Sequence, residues 1–162
     1  MPQLPITIRK ANTADIPVIL RYRRGMYVDM GYADEVAFDA MMKTSAPCLE
    51  QGMSGGTFHA WIAERAIVES SAGQPVACGA VTVVPWPSSP REAQCRRATI
   101  LNVYTEREYR KQGIATRLIE AMIAWCRSEG LAFVSLHASE DGRHLYESMG
   151  FKPTNEMRLN LK

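Results

Sequence analysis

The sequence predicts an α+β fold: a mixed, mostly antiparallel sheet flanked by helices, in one domain over residues 1–162. Three observations carry this. Residues 57–64 and 75–84 are alternating apolar runs with a turn within Ser70–Gln74 between them, which reads as an antiparallel strand pair. Residues 98–138 run strand, helix, strand, a succession that requires a right-handed crossover and parallel pairing. The 162 residues suffice for one good-sized core and contain no internal repeat, low-complexity tract or linker.

Local pattern justifies each element in turn. Ile6–Lys10 alternates as a short strand. Asn12 or Thr13 caps the next helix, Asp15 favours its first turn and Pro17 is tolerated that early. Ile16, Ile19, Leu20, Met26 and Tyr27 form its buried stripe up to about Met30, where Gly31 interrupts. A second helix runs from Asp34 to about Met42, limited by Pro47, and Glu50–Gly56 reads as loop. In the 57–64 strand, Phe58, Ala60 and Ile62 alternate with His59, Trp61 and Ala63, so both faces are buried. Residues 85–90 (P-W-P-S-S-P) cannot continue a strand and form an exposed loop with Arg91–Gln94. Residues 98–105 are rich in β-branched and aromatic side chains and suit a central strand. Ala115, Leu118, Ile119, Met122, Ile123 and Cys126 have the spacing of an amphipathic helix, which Gly130 stops. Leu131–Ala138 is the next strand, Asp141–Met149 a short helix closed by Gly150, and Met157, Leu159 and Leu161 alternate in a last strand.

Composition excludes several function classes. A formal charge of +2 is too small to argue for nucleic acid or an anionic membrane. No apolar run approaches the roughly 18 residues of a membrane helix, and the N-terminus lacks a signal-peptide pattern. Cys48, Cys78, Cys95 and Cys126 are widely spaced, without a C-x-x-C pair or a histidine at zinc-ligand spacing, so no metal site is expected. Free thiols in apolar stretches fit a reducing cytoplasm.

The most informative stretch joins the central strand to its helix through Arg110-Lys111-Gln112-Gly113-Ile114-Ala115. Gly113 permits close backbone approach by a ligand. The first helical N–H groups lack intrahelical partners and lie at the positive end of the dipole. With Arg110 and Lys111 beside them, they describe a site for a phosphate or pyrophosphate. An ordinary strand–loop–helix connection with solvated basic residues has the same spacing.

This segment resembles the R/Q-x-x-G-x-G/A element of the GNAT superfamily of acyl-CoA-dependent N-acetyltransferases. Some thirty residues on, Leu145-Tyr146-Glu147-Ser148-Met149-Gly150-Phe151 is similar to that family's L-Y-E-x-x-G-F block. The ordered pair covers roughly residues 98–151, and the element order matches over nearly the whole chain. The resemblance implies a GNAT-like fold and transfer of the acetyl group of acetyl-CoA to a primary amine of a small molecule or peptide. It implies that the main-chain amides of Lys111, Gln112, Gly113, Ile114, Ala115 and Thr116 cradle the CoA diphosphate beside Arg110. The backbone of Val103, Tyr104 and Thr105 would bind the pantetheine arm like an added strand. Ser139 stands where the family often has a cofactor-contacting asparagine, and Tyr146 matches the tyrosine that protonates the departing thiolate. The chemistry is attack of a neutral amine on a thioester, favoured by orientation and by hydrogen bonds to the developing oxyanion.

No base follows from the sequence. Some family members carry a glutamate on the central strand where Thr99 stands here; Glu64, His59, Glu106 or a water chain are the substitutes, and His137 reads as a core histidine. Arg21, Arg24 and Arg97 would favour a carboxylate-bearing acceptor. The alternative function is a non-catalytic acyl-CoA sensor or interaction module on the same fold. A nucleotide-binding domain of another class is disfavoured, because neither G-x-x-x-x-G-K-[ST] nor a strand-borne G-x-G-x-x-G occurs. An edge strand or the C-terminal strand offers a route to a homodimer.

Overall fold

The computed structural model describes residues 5–67 and 70–161. In chain order it contains β1 (Ile6–Lys10), α1 (Ile16–Asp29), α2 (Glu35–Ser54), β2 (Phe58–Ile67), β3 (Ser70–Pro85), β4 (Arg96–Thr105), α3 (Ile114–Ser128), β5 (Val134–Leu136) and α4 (Glu140–Ser148). The five strands form one sheet in the order β1-β2-β3-β4-β5. The first three pairings are antiparallel and the β4–β5 pairing is parallel, as the crossover requires.

The doubly buried reading of β2 explains the layers. Trp61 and Ala63 face the α3 side, where they meet Leu118, Ile119, Met122 and Cys126. Phe58 and Ala60 face α1 and α2, where Ile19, Leu20 and Leu49 pack. Leu118, Ile119 and Met122 have no exposed surface, and burying each is worth about 2 kcal/mol. The chain enters α1 through a turn of 3-10 helix at Thr13–Asp15, closed by a capping box between Asn12 and Asp15. Asp15 also takes both outer nitrogens of Arg9, and that guanidinium holds its carboxyl below the usual range.

Four sequence expectations change. The helix α2 does not stop near Met42 but continues through Pro47 to Ser54, replacing the expected loop. Phe38 and Leu49, both buried, anchor the helix on either side of the proline, so packing outweighs the missing N–H. Strand β3 begins at Ser70 rather than Pro75, with Ile67 opposite Ser70; the expected turn within Ser70–Gln74 is therefore strand, and residues 68–69 lie outside the described residues. Strand β5 is three residues long instead of eight, because β4 bends away from it after Ile100. Residues 149–161 form no strand, and Met157, Leu159 and Leu161 are 95%, 80% and 88% exposed. Alternation makes a strand only where an edge pairs with it and a face buries it.

Candidate active site

The bend in β4 creates the site. Cys78 pairs with Tyr104 and Ala80 with Leu101, so Gly79 alone opposes Asn102 and Val103, which makes a β-bulge. Asn102 takes the left-handed conformation there, with φ of 55°. A Cβ on Gly79 would come within 2.7 Å of Met122 Cε, so glycine is what lets α3 lie this close to the bulge. Beyond the bulge β4 and β5 are no longer paired, and a cleft of about 680 Å³ opens between β4, the start of α3, α4 and the end of α1.

Val103, Tyr104, Thr105, Arg110, Lys111, Gly113, Ile114, Ala115, Thr116, Ser139 and Tyr146 all line this cleft. Lys111 and Gly113 both have positive φ, 60° and 75°. Alternating left-handed residues turn successive N–H groups to one side, a concave anion receptor continuous with the free amides of Ile114, Ala115 and Thr116. A Cβ built on Gly113 meets nothing within 4 Å, so the space in front of the cradle is open. Thr105 Oγ1 is buried without a partner among the described residues, an orphan on the strand wall. These are features that a phosphate-bearing ligand with an amide-rich arm would satisfy.

Three predicted site residues behave differently from the rest. Gln112 is not on the cleft wall, and its side chain turns back to the Glu108 carbonyl at 3.2 Å. Arg110 lines the cleft but donates to the Thr105 carbonyl at 2.9 Å and to Asp29. The Ser139 hydroxyl caps α4 by accepting from the Gly142 amide at 3.2 Å. Asp29, the last residue of α1, also accepts from Arg107 at 2.8 Å. Burial opposes its ionisation, but the bonds from Arg107 and Arg110 outweigh burial and lower its pKa.

Tyr146 lies on α4 with its ring edge-on to Phe151, centroids 5.8 Å apart. Burial raises its pKa, so its hydroxyl keeps its proton at neutral pH. Gly142 leaves room for the ring: a Cβ there would come within 3.0 Å of Tyr146 Cε2.

The base candidates sort by partner. Glu64 bonds Arg9 at 2.9 Å, on the β1 side of the sheet. His59 lies tilted against Trp125, ring centroids 4.2 Å apart, and burial lowers its pKa. Glu106 accepts from the buried Tyr22 hydroxyl at 2.9 Å beside Arg21. His137 is no core histidine: it is 61% exposed and bonded through Nε2 to Glu156 at 3.0 Å. Thr99 and Ser135 bond each other at 3.2 Å on the face shared with Leu101, which packs under α1 and α2; alternation puts His137 on that same face.

The arginines proposed for a substrate carboxylate are also engaged. Arg24 forks onto Glu35 at 2.7 and 2.9 Å, Arg21 lies 3.6 Å from Glu106, and Arg97 stacks on Trp86 at 3.7 Å. Sequence reasoning missed Arg23, Asn102 and Asp29. One signal was available: Asn102 is a polar residue inside an otherwise apolar strand, the usual mark of a bulge or a site.

The model of the acetyltransferase (GNAT) family matches residues 36–151. No curated protein sequence gives a significant match. Among solved structures, a GCN5-related N-acetyltransferase from Ralstonia eutropha JMP134 is 29% identical with a TM-score of 0.85, covering 97% of this chain and 99% of its own. A predicted acetyltransferase from Clostridium acetobutylicum, solved with acetyl-CoA, is 25% identical with a TM-score of 0.85 and covers 97% of both chains. A glucosamine-6-phosphate N-acetyltransferase from Arabidopsis thaliana, 17% identical with a TM-score of 0.63 over 98% of this chain and 99% of its own, shares the fold.

Proposed function

This chain belongs to the acetyltransferase (GNAT) family, and from that membership we propose that it acts as a single catalytic domain moving the acetyl group of acetyl-CoA to a primary amine of a small molecule or peptide. The observation that carries the reading is the junction of two features in one cleft. The left-handed pair Lys111 and Gly113 opens the α3 amides to an anion, and Tyr146 stands on the opposite wall. Acetyl-CoA, the donor, supplies an activated thioester.

This chain's residues have the remaining tasks. The amides of Lys111, Gly113, Ile114, Ala115 and Thr116 hold the diphosphate, and the β5-facing edge of β4 from Val103 to Thr105, unpaired on that side, hydrogen-bonds the amide-rich arm. Main-chain recognition fixes the donor without long side chains, so orientation rather than acid strength supplies most of the acceleration. Tyr146, kept protonated by burial, gives its proton to the leaving sulfur.

Calorimetry with acetyl-CoA tests the reading. Binding at roughly 1–100 µM is expected, with thiol released once an accepted amine is added. A folded sample that gives no heat sinks both this reading and the sensor alternative; heat with no thiol release across an amine panel leaves the sensor standing.

A further inference from the structure

The outer edge of β5 is an open sheet edge. β5 ends the strand order, so it pairs with β4 on one side and with no strand on the other among the described residues. Beside that edge runs a groove of about 460 Å³, bounded by α3, α4 and the stretch after α4. Val134, Leu136, Met149 and Phe151 line it and pack on the α3 core, and Phe133 on its wall is 55% exposed. An uncovered edge beside apolar side chains is a template for a further strand.

Residues 157–161 have the matching demand. Met157, Leu159 and Leu161 alternate with Arg158 and Asn160, and all three apolar side chains are at least 80% exposed. β5 divides its faces in the same way: Val134 and Leu136 turn to the α3 core, and Ser135 turns to the other side, where it bonds Thr99. Glu156 bonds His137, which shares the Ser135 face by alternation. A strand laid along β5 with its Glu156 face on the His137 side therefore turns Met157, Leu159 and Leu161 into the groove.

One chain holds both halves of this contact and does not join them. Glu156 sits against His137, and the residues after it stand in solvent instead of along the edge. Five extended residues span about 16 Å, enough to reach out of one copy and to cover the three residues of β5 in the next. A two-fold axis normal to the sheet keeps each face on its own side, so polar continues into polar and apolar into apolar. Exchange across that axis covers the edge and the segment of both copies at once. A strand from a different protein would cover the edge and leave 157–161 exposed.

We propose that the protein dimerises by exchange of residues 157–161, each copy laying this segment antiparallel along the outer edge of β5 in the other and seating its three apolar side chains in the groove. Tyr146 lines this groove as well as the donor cleft, so the seated segment lies behind that ring. The inference is independent of the acetyl-transfer reading.

Sedimentation equilibrium of the full chain tests it. Wild-type protein is expected at twice its 18.1 kDa chain mass across roughly 1–100 µM. Leu159→Lys and Phe133→Lys change side chains that are exposed in the single chain, so the fold should survive both. Each should weaken association at least about 100-fold, because it acts at both symmetric contacts. An equal mixture of the two variants should recover dimer: the intact segment of the Phe133→Lys chain meets the intact edge of the Leu159→Lys chain, a contact that neither variant makes alone. Wild-type protein that stays monomeric through that range overturns the inference, whether hydrogen exchange then shows 157–161 protected on its own β5 or open to another protein. So does a dimer that both variants leave unchanged, or one that they break and their mixture does not restore. Should either variant not fold, a chain ending at Glu156 is expected to be monomeric, and a dimer formed by that chain overturns the inference.

Discussion

The β4–α3 corner and the C-terminal end of α1 flank the same cleft, yet they offer it different kinds of group. The corner presents main-chain amides, fixed by left-handed Lys111 and Gly113 and by the free first turn of α3. The end of α1 presents the charged side chain of Asp29, which holds Arg107 and Arg110, while outside the cleft Glu35 silences Arg24 and Glu106 engages Arg21. A donor common to many reactions suits the first kind of wall, because backbone geometry survives changes of side chain. An acceptor that must be distinguished from other amines suits the second.

The sharpest way to break this contrast is at Gly113. Its φ of 75° strains any L-residue, but the space ahead of it is open. Gly113→Ala therefore carries strain alone, about 1–2 kcal/mol, and should weaken acetyl-CoA by roughly tenfold. Gly113→Glu adds a negative charge in front of the diphosphate, and calorimetry should show at least about 100-fold weaker binding. Equal affinities for Gly113→Glu and wild type would place the diphosphate elsewhere, and the main-chain account of the corner would fall.

The reacting centre gives the next effect, and its sign follows from the protonation states. Tyr146 acts in its protonated form and burial raises its pKa, so kcat should hold through neutral pH and fall only above the ordinary tyrosine value near 10. Tyr146→Phe should lower kcat about 10- to 100-fold, with KM for acetyl-CoA little changed, and should remove that alkaline limb. An unaltered profile in Tyr146→Phe would remove that side chain from the proton path and leave orientation and solvent.

What the sequence disclosed follows the same division. The corner was legible because a backbone receptor needs glycine and a fixed spacing, and 110–115 with 145–151 spell this out locally. The layers were legible from β2, whose two alternating sets do face different helices. Pro47 misled because propensity is local, whereas α2 is held by Leu49 against the sheet and by Phe38, buried under Arg24 of α1. The acceptor side stayed hidden for a related reason. Arg21, Arg23 and Arg24 look alike in sequence, and only partners from 11 to 85 positions away, Glu35 for Arg24, Asn102 for Arg23 and Glu106 for Arg21, tell them apart. The Asn102 bulge depends on Gly79 in the neighbouring strand, so no single segment announces it.

Asp29 is where the two walls meet, and it gives the smallest expected effect. Its carboxylate lines the diphosphate end of the cleft while pairing with Arg107 and Arg110. A carboxylate here both repels an incoming diphosphate and keeps two guanidinium groups in place, and these act in opposite directions on affinity. Repulsion between charges near water is screened within about 10 Å at 0.1 M salt, and the guanidinium groups have the Thr105 carbonyl and solvent as alternative partners. Release of Arg110 toward the anion should therefore win. Asp29→Asn is expected to tighten acetyl-CoA about two- to fivefold at low ionic strength, with the gain fading as salt is raised. Weaker binding in Asp29→Asn, independent of salt, would mean that the carboxylate positions Arg110 for the diphosphate. The helical layer would then shape the donor site as well as the acceptor site.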